Sequence, residues 1–496
     1  MCKIANLRED PFVTYSAENE VGILDDIFYV PPFYSSLKSM MKTGCSRFIL
    51  GQRGHGKSML IHQLRNELYR DNCLPVVIDK FDGIPLENNE PYFLYRIAQA
   101  ITMGIAEKIV EGTVDLSNAD KHLKRKFGEL VEMFYDKRWA PTFMEKMDAI
   151  QTKKKNNWFK SIYNRLLQKP IDEISSFGIA LTGELLRQTV IGKDYVEYNP
   201  EYRKNLFPGF SISEFRVLTQ EDANSISVQE YKNILSILID IVKSTRLASV
   251  VVLFDKVDEY APLKSNSRKV AQFSHSILTD TDLLYQIGIV FSLWSGSRNE
   301  LNNIGVRFDK FQCMDIRWSN EDLEGIVNKR LLYYSKDRQN PATLNKLIPQ
   351  DDLRNKLFEL AESSPRNILI LLNEIQAQQE NGITESFSSE AIGKGMMKYC
   401  KQFDYQAFRS VKSAAGKDFK DWINKLLAIR KPSFTQEEYT ALFGGNKRTV
   451  LDHLKKLQAM DLIRISPYVS EGGDKMYEVS DPRIVHMMAR GVVLIE

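Results

Sequence analysis

Eight residues constrain this chain more than any others: Gly51-Gln52-Arg53-Gly54-His55-Gly56-Lys57-Ser58. They satisfy the spacing G-x-x-x-x-G-K-[ST]. Just before them, Arg47-Phe48-Ile49-Leu50 reads as a short buried strand. Just after them, Ser58 to Leu68 carries apolar residues at helical spacing. A strand, a glycine-rich loop and a helix in that order build an anion site. The glycines let the backbone curl so that successive N–H groups face a phosphate. The helix adds the positive end of its dipole. In this geometry Lys57 reaches the β- and γ-phosphates and the Ser58 hydroxyl binds Mg²⁺. A nucleoside triphosphate and Mg²⁺ are therefore the expected ligands. His55 fills a variable position of the loop and has no partner that would make it a catalyst.

Three further apolar runs read as strands: Pro75-Val76-Val77-Ile78-Asp79, Val250 to Phe254, and Ile287 to Trp294. Runs that are apolar without alternation, separated by helical patterns, predict a parallel sheet covered on both faces. Asp255 leaves the end of the most hydrophobic run. A carboxylate there can hold Mg²⁺ through water, which makes it the metal partner of Ser58.

The remaining chain is ordinary in composition. With 496 residues it suggests about three domains. Hydrophobic residues are 43% and charged residues 26%, so a packed core is expected rather than disorder. Lys+Arg 67 against Asp+Glu 64 leaves +3, so any nucleic-acid footprint must be local. No apolar run reaches membrane-span length and the first ten residues lack a signal-peptide core. Five scattered cysteines without a C-x-x-C pair fit free thiols in a reducing compartment. The expectation is a cytoplasmic protein without a membrane span.

The expected fold is α/β: a P-loop NTPase core with a parallel sheet, a helical insertion, a helical lid and a C-terminal winged helix-turn-helix. The boundaries read as 1–90 for the first part of the core, 91–225 for the insertion and 226–318 for the rest of the core. The lid spans 319–410 and the terminal unit 415–496. In the insertion, Lys153-Lys154-Lys155 followed by Trp158, Phe159 and Tyr163 reads as a solvated helix start with aromatics turned inward. The terminal unit runs helix, helix, the break Phe443-Gly444-Gly445-Asn446, helix, then two strands around Glu471-Gly472-Gly473-Asp474.

With the phosphate loop and Asp255 in place, the sequence resembles AAA+ and STAND-type P-loop ATPases. It is closest in pattern to prokaryotic members near the origin-recognition clade, several of which sit in phage-defence contexts. The resemblance covers about 28–90 and 228–376, and by analogy the terminal winged helix. It implies roles for further residues. Ser295 or Ser297 would sense the γ-phosphate. Arg307, in Gly305-Val306-Arg307-Phe308-Asp309, would act as a finger in a neighbouring subunit's site, which implies a homo-oligomer. Arg366, in Ser364-Pro365-Arg366-Asn367, would touch the γ-phosphate from the lid. One departure stands out: Lys256 occupies the place where such ATPases put the glutamate that polarises water. Asp258 or Glu259 would then take that role, or hydrolysis would be slow.

In a winged helix the third helix enters the major groove and the hairpin touches phosphate. Lys447, Arg448, Lys455 and Lys456 are the candidate DNA contacts, diluted by Asp452 and Asp461. The leading expectation is an ATP-binding and hydrolysing switch or motor acting on DNA. The alternative is a slowly hydrolysing, nucleotide-gated scaffold that recruits a protein effector.

Overall fold

The computed structural model describes residues 2–111, scattered positions from 113 to 134, 220–263, 266–405 and 419–495. The readings at Lys153–Lys155, Trp158, Phe159 and Tyr163 lie outside the described residues.

The core is a parallel sheet of β2 (Arg47–Gly51), β3 (Leu74–Ile78), β4 (Val250–Phe254), β5 (Gly288–Trp294) and β6 (Cys313–Asp315), in the order β3-β4-β5-β2-β6. The apolar runs expected as strands are all in it. Their residues alternate between two cores, one on each face. Ile49, Val251, Leu253 and Val290 face the core shared with the Lys57–Arg70 helix, where Leu60, Ile61 and Leu64 are buried. Phe48, Leu50, Val252, Phe254, Ile289 and Phe291 face the other. That burial on both faces is why the strands read as unbroken apolar runs. Pro75 is tolerated because β3 is an edge strand, where a missing N–H costs no ladder bond.

The Glu90–Val110 helix falls within the stretch expected as an insertion, yet it belongs to the sheet's cover. Phe93, Ile97, Ile101 and Ile105 pack with β3 and β4 residues and with the Val228–Ser244 helix. The latter starts at a capping box formed by Ser227 and Glu230, which fixes its entry toward β4.

Beyond β6, helices occupy Asn320–Tyr334, Asp351–Ala361, Pro365–Gln378 and Ser389–Gln402. Ser319 and Asp322 form the capping box that starts the first of them. The N-terminal residues attach here rather than to the sheet. Strand β1 (Cys2–Ile4) pairs in parallel with β7 (Gly382–Thr384), and Arg330 on the Asn320–Tyr334 helix donates to Pro11 and Thr14 carbonyls.

The terminal unit holds helices Phe419–Ile429, Gln436–Phe443 and Lys447–Ala459, then the hairpin β9 (Ile463–Val469) and β10 (Lys475–Val479). A short strand, β8 (Ser433–Thr435), joins the hairpin to make an antiparallel sheet β8-β10-β9. Gly444 and Gly445, both with positive φ, make the break between the second and third helices. This is the element order of a winged helix, extended by a final helix, Pro482–Ala489. Arg483 on that helix is fully buried. It pairs with Asp481 and Glu362 and lies over the Phe403 ring, so it ties the terminal unit to the helices after β6.

Candidate functional site

The site sits at the carboxyl ends of β2, β4 and β5, where parallel sheets present their ligand crevice. Strand β2 ends at Gly51 and the next helix begins at Lys57. The loop between them needs its glycines. Gly54 has φ +80° and Gly56 φ +84°, both in the left-handed region. A Cβ on Gly54 would also stand 2.5 Å from Ser364 Oγ and 3.1 Å from Arg366 Cβ. The loop is therefore pressed against the start of the Pro365–Gln378 helix. The Arg366 backbone N–H donates to the Gly54 carbonyl at 3.2 Å.

His55 braces the loop from behind. It is 8% exposed, its Nδ1 lies 3.2 Å from the Ile316 carbonyl, and its own carbonyl accepts from Trp318 Nε1 at 3.0 Å. Burial, with help from the Lys57 charge, pushes the imidazole pKa down to about 4. His55 is thus a neutral anchor at physiological pH. Gln52 accepts from Trp294 Nε1 at 2.7 Å, which ties the loop to the end of β5.

Lys57 Nζ donates to the Gly51 and Gln52 carbonyls at 3.0 and 3.3 Å, holding the ammonium across the loop. Ser58, one residue on, lines the same cleft as the Asp255 carboxylate. Asp255 is 2% exposed; burial raises its pKa, opposed by Ser58, the Lys256 N–H and the Lys57 and Lys256 charges. Ser58 and Asp255 share this cleft although β5 lies between β2 and β4. Two oxygens beside an anion-binding loop suit Mg²⁺, which takes few protein ligands and fills its shell with phosphate and water.

Around this point the cleft opens. Arg53, Gly54, Gly56, Lys57, Ser58, Asp255, Asp258, Glu259 and Arg366 line it. Asp258 is buried, its Oδ1 has no partner among the described residues, and its carbonyl accepts from Arg53 at 3.3 Å. Glu259 is more open, at the rim. The surrounding protein raises its pKa, as do the Asp258 and Asp255 charges, against Arg366 and Lys256. Lys256 has a left-handed backbone (φ +60°) and its ammonium pairs with Glu18 at 2.5 Å. The Glu18 carboxyl, although partly buried, is held down to about 2 by Lys256.

Three expected residues lie elsewhere. Ser295 and Ser297 follow β5 but are not among the residues that line the cleft. Arg307 is on the surface, half-exposed, and forms a bidentate pair with Asp309 at 2.8 and 2.7 Å. The structure also adds residues that sequence reasoning missed. Tyr15, Ala17, Glu20 and Ile27 from the N-terminal segment, with Ile326, Arg330 and Leu369 from the helices after β6, form the cleft's far wall. No motif marks them.

In the terminal unit, Lys447, Arg448, Lys455 and Lys456 are exposed on the third helix, while Val450, Leu454 and Leu457 face inward. On the hairpin, Arg464 is paired with Glu478 at 3.0 Å and Tyr468 is 73% exposed. No helix among the described residues is long and apolar enough to cross a membrane.

No family model matches the chain, and no curated protein matches it. Among solved structures, it is similar to Cdc6p from Pyrobaculum aerophilum, with 10% identity over 98% of this chain and 99% of that one, at a TM-score of 0.34. It is also similar to a Walker-type ATPase of Pyrococcus abyssi, with 13% identity over 98% of each chain and a TM-score of 0.37. The Orc1 protein of Aeropyrum pernix, solved in complex with DNA, aligns with 10% identity over 95% of each chain and a TM-score of 0.33.

Proposed function

We propose that this chain binds and hydrolyses ATP with Mg²⁺, and that it couples the nucleotide to a DNA-contacting winged helix. The observation that carries the nucleotide reading is the convergence of Lys57, Ser58 and Asp255 on one cleft. It joins two sequence motifs far apart in the chain at the mouth of a glycine loop that curls as phosphate binding requires.

In this reading, the loop amides of Gly54 to Ser58 and the Lys57 ammonium hold the phosphates. Ser58 and Asp255 would hold Mg²⁺, which would supply positive charge to offset that of the phosphate oxygens. Arg366 reaches the γ-phosphate from the Pro365–Gln378 helix, whose first turn already touches Gly54. Glu259 orients the attacking water, because it is the acid at the solvent-facing rim. Its raised pKa makes it a better proton acceptor than an unperturbed carboxylate. Ser295 or Ser297 reads the γ-phosphate only if the end of β5 shifts toward the cleft, and Arg307 acts on a second subunit.

Asp255→Ala should keep part of the nucleotide affinity and lose the Mg²⁺ dependence of turnover. A titration of rate against Mg²⁺ checks this; an unchanged dependence would assign the metal to another carboxylate.

The DNA reading rests on the four exposed cations of the Lys447–Ala459 helix. Replacing Lys447, Arg448 and Lys455 with Ala should weaken binding to duplex DNA across sequences. It should also flatten the plot of log affinity against log salt, by about one unit for each phosphate deprived of its cation. No detectable binding by the intact chain at low salt would remove DNA from the account.

A second reading is favoured by one feature, the Lys256–Glu18 pair. It puts a committed cation where a water-polarising acid is expected, which suits a slow, nucleotide-gated scaffold for a protein effector. Turnover measured with and without DNA separates the two. Strong stimulation supports the motor; tight ATP binding with negligible turnover supports the scaffold.

A further inference from the structure

The cleft has two chemically distinct ends. One holds the phosphate loop with Lys57, Arg53 and Arg366, and the acids Asp255, Asp258 and Glu259 beside them. The other is built from Tyr15, Ala17, Ile27, Ile326 and Leu369, with the Glu20–Arg330 ion pair among them. That pair neutralises itself, so this end offers no spare cation to a triphosphate. Its apolar side chains suit a flat ring instead.

Glu20 is 1% exposed. Its Oε1 is fully engaged: it accepts from Arg330 Nη2 and from Thr14 Oγ1 at 3.0 Å. Arg330 is itself pinned by the Pro11 and Thr14 carbonyls, so the carboxylate cannot swing away. Oε2, in contrast, has no partner among the described residues. A buried charged oxygen without a donor is costly, and natural folds keep such groups where something binds them. An ionised carboxylate only accepts, so whatever satisfies Oε2 must be a donor.

We propose that Glu20 selects the base, with Oε2 accepting a hydrogen bond from the exocyclic amino group of adenine. This rests on the nucleotide reading above and deepens it. One free oxygen matches one donor edge. Guanine brings two parallel donors, N1–H and the 2-amino group, which call for both oxygens of a carboxylate, and Oε1 is already taken by Arg330 and Thr14. Guanine would leave a donor unpaired in a closed site. Inosine would turn a carbonyl oxygen toward the amino position and repel Oε2.

The test uses the full chain with Mg²⁺ and measures dissociation constants for ATP, purine riboside triphosphate (no 6-amino group), inosine triphosphate and GTP. The wild type should bind ATP roughly 10- to 100-fold more tightly than the purine analogue, the range expected for one hydrogen bond to a charged group. Inosine triphosphate and GTP should bind at least as weakly. Glu20→Gln keeps the side chain's shape and should bring ATP, the purine analogue and inosine triphosphate to within a few-fold of one another. Equal wild-type binding of ATP and the purine analogue overturns the assignment, as does tighter GTP. The wild-type series needs no variant, so a poorly folding Glu20→Gln does not rescue the idea. Equal binding of all four that Lys57→Ala abolishes would sink the Glu20 role alone. No nucleotide binding at all would sink the nucleotide reading and this one together.

Discussion

Lys57→Ala abolishes high-affinity ATP binding. Lys57 is the cation built into the phosphate loop, and its ammonium already sits across the loop on the Gly51 and Gln52 carbonyls. Bound triphosphate would replace those neutral acceptors with charged oxygens, and charge-assisted hydrogen bonds are about twice as strong as neutral ones. Losing one or two of them should weaken ATP binding by roughly 100-fold or more. The fold should survive. Lys57 is only partly buried, so the carbonyls it leaves can turn to water. Unfolding temperature reports that separately. An intact variant with unchanged ATP affinity would show that the glycine loop does not hold the phosphates.

The second large effect concerns assembly. Arg307 lies on the surface after β5, outside the cleft of its own chain, and its guanidinium is held by Asp309 in an exposed pair. Exposed pairs hold weakly in water, so Asp309 presents Arg307 without sequestering it. If Arg307 completes a neighbour's site, specific ATPase activity rises with protein concentration. Arg307→Ala then binds ATP normally and loses turnover, on the scale of about 10³-fold or more known for such fingers. Mixing it with Lys57→Ala restores part of the activity. In a mixed pair, one site has an intact loop and receives the intact arginine. Mixtures that assemble and stay inactive would rule out action in trans.

The sheet and its loop were legible because their physics is local. Strands buried on both faces have to be apolar throughout, so Val250 to Phe254 announces itself. A glycine loop followed by Lys57 and Ser58 is chemically overdetermined. Capping is legible too: Ser319, followed three residues later by Asp322, forms the capping box that starts a helix. Strands β1, β6, β7 and β8 have three residues each, too few for a period, and exist because a neighbour pairs with them. The far wall of the cleft was hidden for another reason. Glu20 meets Arg330, and β1 meets β7, across most of the chain's length, and no spacing rule spans that distance.

Single residues misled in opposite ways. His55 looks in sequence like a filler in a variable position, yet it locks the loop to Ile316 and Trp318. Lys256 looks like a lost catalytic acid. In the fold it holds Glu18, joining the sheet to the N-terminal segment that closes the cleft. Arg483, in the final helix, is wholly buried between Asp481, Glu362 and Phe403. Burial of an arginine depends on partners assembled from distant segments, so its sequence neighbourhood carries no trace of it.

Calorimetric titration of the intact chain with ATP, with Mg²⁺ present and then chelated, tests the central claim most directly. The account predicts one ATP per chain, with affinity that falls when the metal is removed, because the metal that Ser58 and Asp255 would hold no longer offsets the phosphate charge. Absence of binding, or binding at one site per chain that neither Mg²⁺ removal nor Lys57→Ala alters, would contradict it.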